Sequence, residues 1–454
     1  MSVCHKKRCT LDIKTTNIMK RIYYLAAIFA LIPMTSCEDL PEIGVETDLY
    51  NIPLPESEAI IEIESKDVSV PFLHYEDGVY GLHTKADFER IHMKYQTESP
   101  WIEGYKLLKE SSCAQLSCKT YPTPEINRPS SGGNFTNAAR GAAMAYQLGL
   151  RWRIEGDTQY ADLAVSMLNS WAKTCTKITG DTNRSLASGI YGYEFALAGE
   201  LLRGYEGWKS EDFAAYQQWM VNVFIPENKN FLNNHHGTND LHYWANWPLA
   251  NLTSLMAIGI LADRRDLYNE AIEHLQAGKT NGRITNAIYV VYTGKWSNFA
   301  QWQESGRDQS HTIMGIGLMG SIFQMAYNQG DDFFKYGDNM YLKACEYVAC
   351  CNYTGDEYPY TTYVWQEWKG TEARPRVLDK LNSIGNGTGE VRPVWALPYY
   401  HYSVIKKIDP DKCKYTKRAV ARVTPEGGPQ YSDHTSAFDH PGFGTLMYTL
   451  DEEK

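Results

Sequence analysis

Two stretches concentrate the side chains that can do chemistry. The first is Asn233-Asn234-His235-His236-Gly237-Thr238-Asn239-Asp240-Leu241-His242-Tyr243-Trp244-Ala245-Asn246-Trp247, with three histidines and four asparagines in fifteen residues. The second is Trp302-Gln303-Glu304-Ser305-Gly306-Arg307-Asp308-Gln309-Ser310-His311. So many hydrogen-bonding groups are costly to bury without a ligand or water, so their density marks a site. In the first knot a helix is expected to start near Asn239 or Asp240, both good N-caps. Tyr243, Asn246 and Trp247 then share a face, flanked by His242 and Trp244. His235 and His236 stay on the preceding loop. In the second knot Glu304, Arg307, Asp308 and His311 fall on one helical stripe. Arg307 and His311 could face one anion, and Glu304 could pair with Arg307 or, protonated, donate to a carboxylate.

Several chemistries compete for these groups. His235, His236, His242 and Asp240 could supply metal ligands, but their spacing matches no familiar zinc pattern, and no metal or cofactor is expected. Glycoside hydrolysis needs two opposed carboxylates, for which Asp240, Glu304 and Asp308 are available. A serine nucleophile is disfavoured, since no GxSxG elbow occurs. β-Elimination from a uronic acid polymer fits best. It needs Asn, His or Arg to neutralise the C6 carboxylate, a base for the C5 proton and an acid for the leaving O4.

Helices must position these knots. Apolar residues recur at helical spacing over much of the chain. Long helix, short turn, long helix repeats over residues 134–153 and 160–171, 187–205 and 210–224, 242–262 and 265–277, and 311–329 and 339–353. Repeated helix pairs build either a solenoid or a closed ring of hairpins, and the lack of a fixed-period consensus argues against the solenoid. Polar insertions at 113–133, 176–186, 227–240 and 278–310 would then sit on one rim, around a cleft. The turn-rich tail from Thr424 reads as a closing strap.

The formal net charge is -10. There is no global basic field, so a nucleic-acid partner is not expected, and any anionic substrate must meet local cations. Met19-Lys20-Arg21, an apolar run over 22–32 and Pro33-Met34-Thr35-Ser36-Cys37 have the layout of a secretory signal. The run is shorter than the roughly 20 residues a spanning helix needs. Cys37 resembles a bacterial lipoprotein processing site. This implies lipid attachment at Cys37, a membrane partner, and a periplasmic or cell-surface place on the outer membrane of a Gram-negative bacterium. The expected organisation is upstream residues and signal over 1–37, a tether over 38–74 and one helical domain over 75–454. Beyond Cys37 seven cysteines remain, and Cys113 and Cys118 could close a bridge.

The words Asn234-His235, Tyr243-Trp244-Ala245-Asn246-Trp247 and Trp302 through His311 resemble the alginate-lyase-like family of polysaccharide lyases. Tyr146-Gln147-Leu148-Gly149-Leu150-Arg151-Trp152 and Tyr191-Gly192-Tyr193-Glu194-Phe195 support the likeness, which spans about residues 75–448. The resemblance implies an all-α fold, an incomplete (α/α) toroid of helical hairpins. It also implies cleavage of β-1,4-linked uronans to 4,5-unsaturated ends, with an anionic polysaccharide as substrate. His235, Arg307 and His311 match the family's His, Arg and His. A seven-residue gap separates His235 from Tyr243, which leaves Tyr243, Tyr289 and Tyr292 open as the proton-transferring tyrosine. Arg307, Asn234 and Glu304 are expected to neutralise the carboxylate, and His235 or His311 to act as base or neutraliser. His236, His242, Asn246 and Gln303 are expected on the substrate, with Trp244, Trp247 and His401 shaping subsites. Mannuronate-containing alginate is the expected substrate. Glucuronan cleavage, glycoside hydrolysis and uronan binding without turnover are the alternatives.

Overall fold

The computed structural model describes residues 62–366, 378–430 and 438–452. The expected leader, Cys37 and most of the tether lie outside the described residues. Every helix below belongs to one compact unit, which lies within Pro53–Lys454.

Helix α1 (Lys85–Lys94) opens on Thr84, whose hydroxyl accepts the Asp87 N–H while the Asp87 carboxylate accepts the Thr84 N–H. This is a reciprocal capping box. Helix α2 (Trp101–Glu110) follows. Helix α3 (Phe135–Glu155) ends on Gly156 at φ 75, and Asp157 caps α4 (Thr158–Thr174) through the Gln159 N–H. The Gly-Asp pair thus stops one helix and starts the next. The remaining pairs are α5 (Arg184–Leu202) with α6 (Ser210–Val223), α8 (Asn246–Leu261) with α9 (Arg265–Ala277), and α11 (Gln309–Asn328) with α12 (Tyr336–Tyr353). Between them lie α7 (Ile225–Asn234) and a single turn, α10 (Ile284–Ala287). A polar insertion was expected over 227–240, yet residues 227–234 belong to α7. Pro226 stands in its first turn, where a missing N–H costs nothing.

Alternate helices form the inner layer. Every residue of α5 from Ser185 to Leu202 is buried, as is all of α8 except Trp247. Helices α5 and α8 pack directly on each other. At Gly189 a Cβ would stand 2.7 Å from the Ala250 carbonyl carbon, so only glycine lets the two backbones come this close. Helices α4, α6 and α9 cover this layer and keep polar outer faces. The architecture is all-α, an incomplete (α/α) toroid of hairpins. The tail contributes α13 (Ala396–Tyr400), α14 (Lys414–Val423) and α15 (Gly444–Tyr448). Helix α15 folds back onto α2, with Gly104 against Leu446, and Arg90 donates to the Met447 carbonyl at 2.6 Å.

Part of the expected tether is docked. Ile63 and Gln276 exchange two hydrogen bonds, Lys66 pairs with Asp331 at 2.9 Å, and His74 bridges Glu200 at 2.5 Å and Asp263 at 2.7 Å. Two-stranded ribbons tie the rim loops. Strands β1 (Val79–Tyr80) and β2 (His83–Thr84) are antiparallel. Strands β3 (Glu125–Asn127) and β4 (Lys177–Thr179) are parallel, with Ile126 opposite Ile178. Strands β5 (Ile288–Val291) and β6 (Ala300–Trp302) lead into the second knot, and β7 (Tyr363–Gln366) pairs with β8 (Leu378–Leu381). Cys113 and Cys118 are free thiols rather than a bridge. Cys113 is buried, and the Cys118 sulfur points at the Ser112 carbonyl.

Candidate active site

Helix α7 ends at Asn234, and the two residues after it are left-handed, His235 at φ 45 and His236 at φ 51. Glycine or asparagine normally takes such a position. A larger side chain there costs of order 1–3 kcal/mol, and such strain gathers at functional sites. The His235 ring is buried against the edge of Phe231 at 6.1 Å. Its Nδ1 faces Asp240 at 3.5 Å, while its buried Nε2 meets no partner. Burial holds the imidazole below its ordinary pKa despite the pull of Asp240. The ring is therefore neutral at pH 7. Asp240 favours the proton on Nδ1 and leaves Nε2 as a free acceptor.

His236 is held differently. Ser185 donates to Glu227 at 2.5 Å, so its oxygen accepts from His236 Nε2 at 2.9 Å. The Nδ1 then accepts from Arg184 at 3.4 Å. Burial and Arg184 both keep this ring neutral. His236 was expected on the substrate, but both of its nitrogens are engaged within the protein.

The first knot is not helical where a helix was expected. The Asn239 side chain accepts the Leu241 N–H at 2.9 Å, and its carbonyl accepts the His242 N–H at 3.2 Å, making a turn. Asn281 then pins the loop through the carbonyls of Leu241 and Tyr243 at 3.1 and 2.9 Å. Helix α8 begins only at Asn246, so Tyr243 precedes it rather than sharing its face. The half-buried Tyr243 ring packs on Phe231 at 5.0 Å, His242 at 4.9 Å and Trp247 at 4.7 Å. Its hydroxyl lies beside Thr182, and burial raises its pKa, so it stays protonated as an acid. Asn234 is exposed at the end of α7, its amide on Asn230 at 2.9 Å.

The two knots close onto each other. Gln303 accepts the Ala245 N–H at 3.1 Å, and Glu304 accepts the Asn246 N–H at 3.3 Å and its side-chain amide at 2.7 Å. Glu304 is wholly buried and also binds Arg307 Nη1 at 2.6 Å. The Arg307 guanidinium, partly exposed, lies 5.3 Å from the Trp244 ring. Trp244 in turn stacks on Trp365 with an interplanar angle of 9°. Asp308 caps α11 and accepts from His311 Nδ1 at 2.8 Å. Burial would raise the Asp308 pKa, but the hydrogen bonds and charge of His311, together with Arg307, outweigh it and lower it. Glu304, Arg307, Asp308 and His311 thus do meet, through a turn and a cap rather than one helical stripe. Gly306 is required between them, because a Cβ would stand 2.3 Å from the Tyr360 hydroxyl.

Other expected residues are engaged within the protein. Tyr292 and Tyr289 both engage Gln301 and Thr361, and burial pushes the Tyr292 hydroxyl up to about 12. His401 is in the core, stacked 3.5 Å from Phe334 and edge-on to Tyr327. Only 2% of it is exposed. Asn246 is buried and joins the two knots. His242 is packed between Tyr243 and Trp365, and its carbonyl accepts the Trp365 indole N–H at 2.9 Å. Arg184, Ser185, Glu227, Asn281 and Trp365 were not foreseen. Arg184 and Ser185 lie in an insertion already assigned to the rim; Trp365 carried no pattern that marked it. Among the described residues no cluster of three His, Cys, Asp or Glu could hold a metal ion.

Comparison with known proteins places this geometry. The family model described as alginate lyase matches residues 94–351, more than half of the chain and both knots. No curated protein matches the sequence. A ligand-free histidine-to-alanine variant of alginate lyase A1-III, from Sphingomonas species A1, aligns with a TM-score of 0.53 at 13% identity, covering 88% of this chain and 99% of that one. The variant complexed with a tetrasaccharide gives 0.51 at 13%, covering 81% and 95%. An alginate lyase from Bacteroides ovatus gives 0.51 at 14%, covering 82% and 100%. At these identities the structural likeness is one of fold, while the family match runs through both knots. The chain belongs to the alginate lyase family and is a polysaccharide lyase.

Proposed function

We propose that the enzyme cleaves mannuronate-containing alginate by β-elimination and leaves a 4,5-unsaturated non-reducing end. The observation that carries this reading is the junction at Glu304, which sets Arg307 beside the Tyr243–Trp244 segment. The C6 carboxylate docks on the Arg307 fork and the Asn234 amide. Its charge is neutralised there, and the C5 proton becomes acidic. His235 Nε2 takes that proton, and the Tyr243 hydroxyl gives its own to O4 as the C4–O4 bond breaks. His311 stands on the Arg307 side of the site.

His235 and Tyr243 both pack on Phe231, which supports their standing on one wall. Mannuronate carries its C5 proton and O4 on the same side, so acid and base on one wall suit it. Guluronate is inverted at C5 and needs groups on opposite walls. Hydrolysis is disfavoured because the carboxylates are already used. Glu304 serves Asn246 and Arg307, and Asp308 serves the α11 cap and His311. Incubation with polymannuronate, polyguluronate and glucuronan, read by absorbance of the new C4–C5 double bond, tests the reading. Fastest growth on polymannuronate is expected. Reducing ends released without that absorbance would establish a hydrolase instead.

The same proposal holds the enzyme to a Gram-negative outer membrane by lipid on Cys37, supported by the pattern over residues 19–37. The mass of the mature N-terminus tests it, since a plain cleaved signal leaves no lipid.

A further inference from the structure

Arg128 sits where β3 leaves the sheet, and its backbone is locked on both sides. Its N–H donates to the Thr179 carbonyl at 2.9 Å, and a Cβ at Gly180 would stand 2.3 Å from its carbonyl oxygen. The guanidinium lies over two aromatic faces, Phe135 at 5.1 Å and Tyr191 at 5.7 Å. Its Nη1 is buried without an acceptor, and among the described residues no carboxylate pairs with it, although the side chain is only partly buried. The acid in the neighbouring loop, Asp181, is already taken by Ser130 and Asn183. That loop continues through Thr182 and Arg184, which border Tyr243 and His236. Arg128 is thus on the same rim as the reacting groups. A guanidinium with unused donors is costly to desolvate unless an anion completes it.

We propose that Arg128 binds a second carboxylate of the polymer, on a uronate flanking the one that reacts. The inference rests on the enzyme acting on a polyuronate, which presents one carboxylate per sugar. The aromatic faces hold the fork flat, so little side-chain freedom is lost on binding. Because the flanking carboxylate does not react, the contact is made equally in the ground and transition states. It therefore sets KM and leaves kcat alone.

The test is R128Q and R128K against wild type on a ladder of oligomannuronates, with melting curves in parallel. For the long oligomers R128Q should raise KM by ~10–100-fold, the worth of one charged hydrogen-bonded contact, with kcat within a few-fold. R128K should fall between, and the shortest cleavable oligomer should be indifferent to both changes. An unchanged KM along the whole ladder in folded R128Q overturns the proposal. If R128Q does not fold, R128K decides, because it keeps the charge and loses the fork; an unchanged KM then overturns it. Calorimetric titration of the same oligomers separates the two readings. Wild type that binds without cleaving removes the reaction, yet a loss of affinity in R128Q still supports the subsite. Wild type that neither binds nor cleaves removes both.

Discussion

Asn246 and Glu304 lie 58 residues apart and are joined by a 2.7 Å hydrogen bond from amide to buried carboxylate. The same carboxylate holds Arg307, so one side chain carries both the start of α8 and the cation of the site. Replacing Glu304 by Ala strips an acceptor from three buried or half-buried donors. It should destabilise the protein by about 2–4 kcal/mol in urea denaturation and lower kcat/KM by at least ~100-fold. Glu304→Gln keeps the shape and one acceptor, and should cost about half as much.

The proposed mechanism gives proton transfer to His235 and Tyr243. His235→Ala and Tyr243→Phe should each lower kcat by ~10²–10⁴-fold, while calorimetric affinity for a tetramannuronate changes by only a few-fold. Either variant retaining more than about a tenth of wild-type kcat would remove that residue from the role.

The left-handed backbone at His235 predicts a conflict between stability and activity. His235→Gly should be about 1 kcal/mol more stable than His235→Ala, because glycine takes φ 45 without strain. Both should be inactive. Equal melting temperatures for the two would show that the position stores no strain.

The pH profile follows from the same two groups. His235 must be neutral, and its pKa is held below 6.5 by burial. The acid limb of kcat/KM should therefore lie below pH 6.5. Tyr243 must be protonated, and burial raises it above 10, so the alkaline limb should lie above pH 10. An acid limb above pH 6.5 would contradict the assignment of His235 as base.

His74 ties the N-terminal segment to the helices. Burial alone would lower its pKa, but the bonds to Asp263 and Glu200 win and raise it to about 9. A raised pKa stabilises the folded state fully below the unfolded value of 6.5, and that stability fades as pH rises through about 9. Wild type should exceed His74→Ala by about 2 kcal/mol at pH 6, with the gap closing by pH 10. A gap that widens with pH would reverse the sign.

Local signals carried much of the fold. The break after residue 153 was readable because Gly156 and Asp157 each act within one turn of their own chain. The start of α8 was not. Its first N–H groups are capped by Gln303 and Glu304 from the other knot, while Asn239, a good cap by type, makes a turn instead. The density of polar residues marked the right neighbourhood, and Arg307, Asp308 and His311 do converge. It could not separate His235, with a free nitrogen, from His236, whose nitrogens are both used. Nor could it show that His401 lies against Phe334, a contact set by packing between distant segments.

Phe231 touches His235, His236, Tyr243 and Trp247 with one ring. The proposed base and acid are thereby mechanically coupled. A change of volume at this one apolar position would displace both at once, and its effect would not add to theirs in a double-mutant cycle. The spacing between the two proposed proton-transfer groups is set by a residue that exchanges no proton.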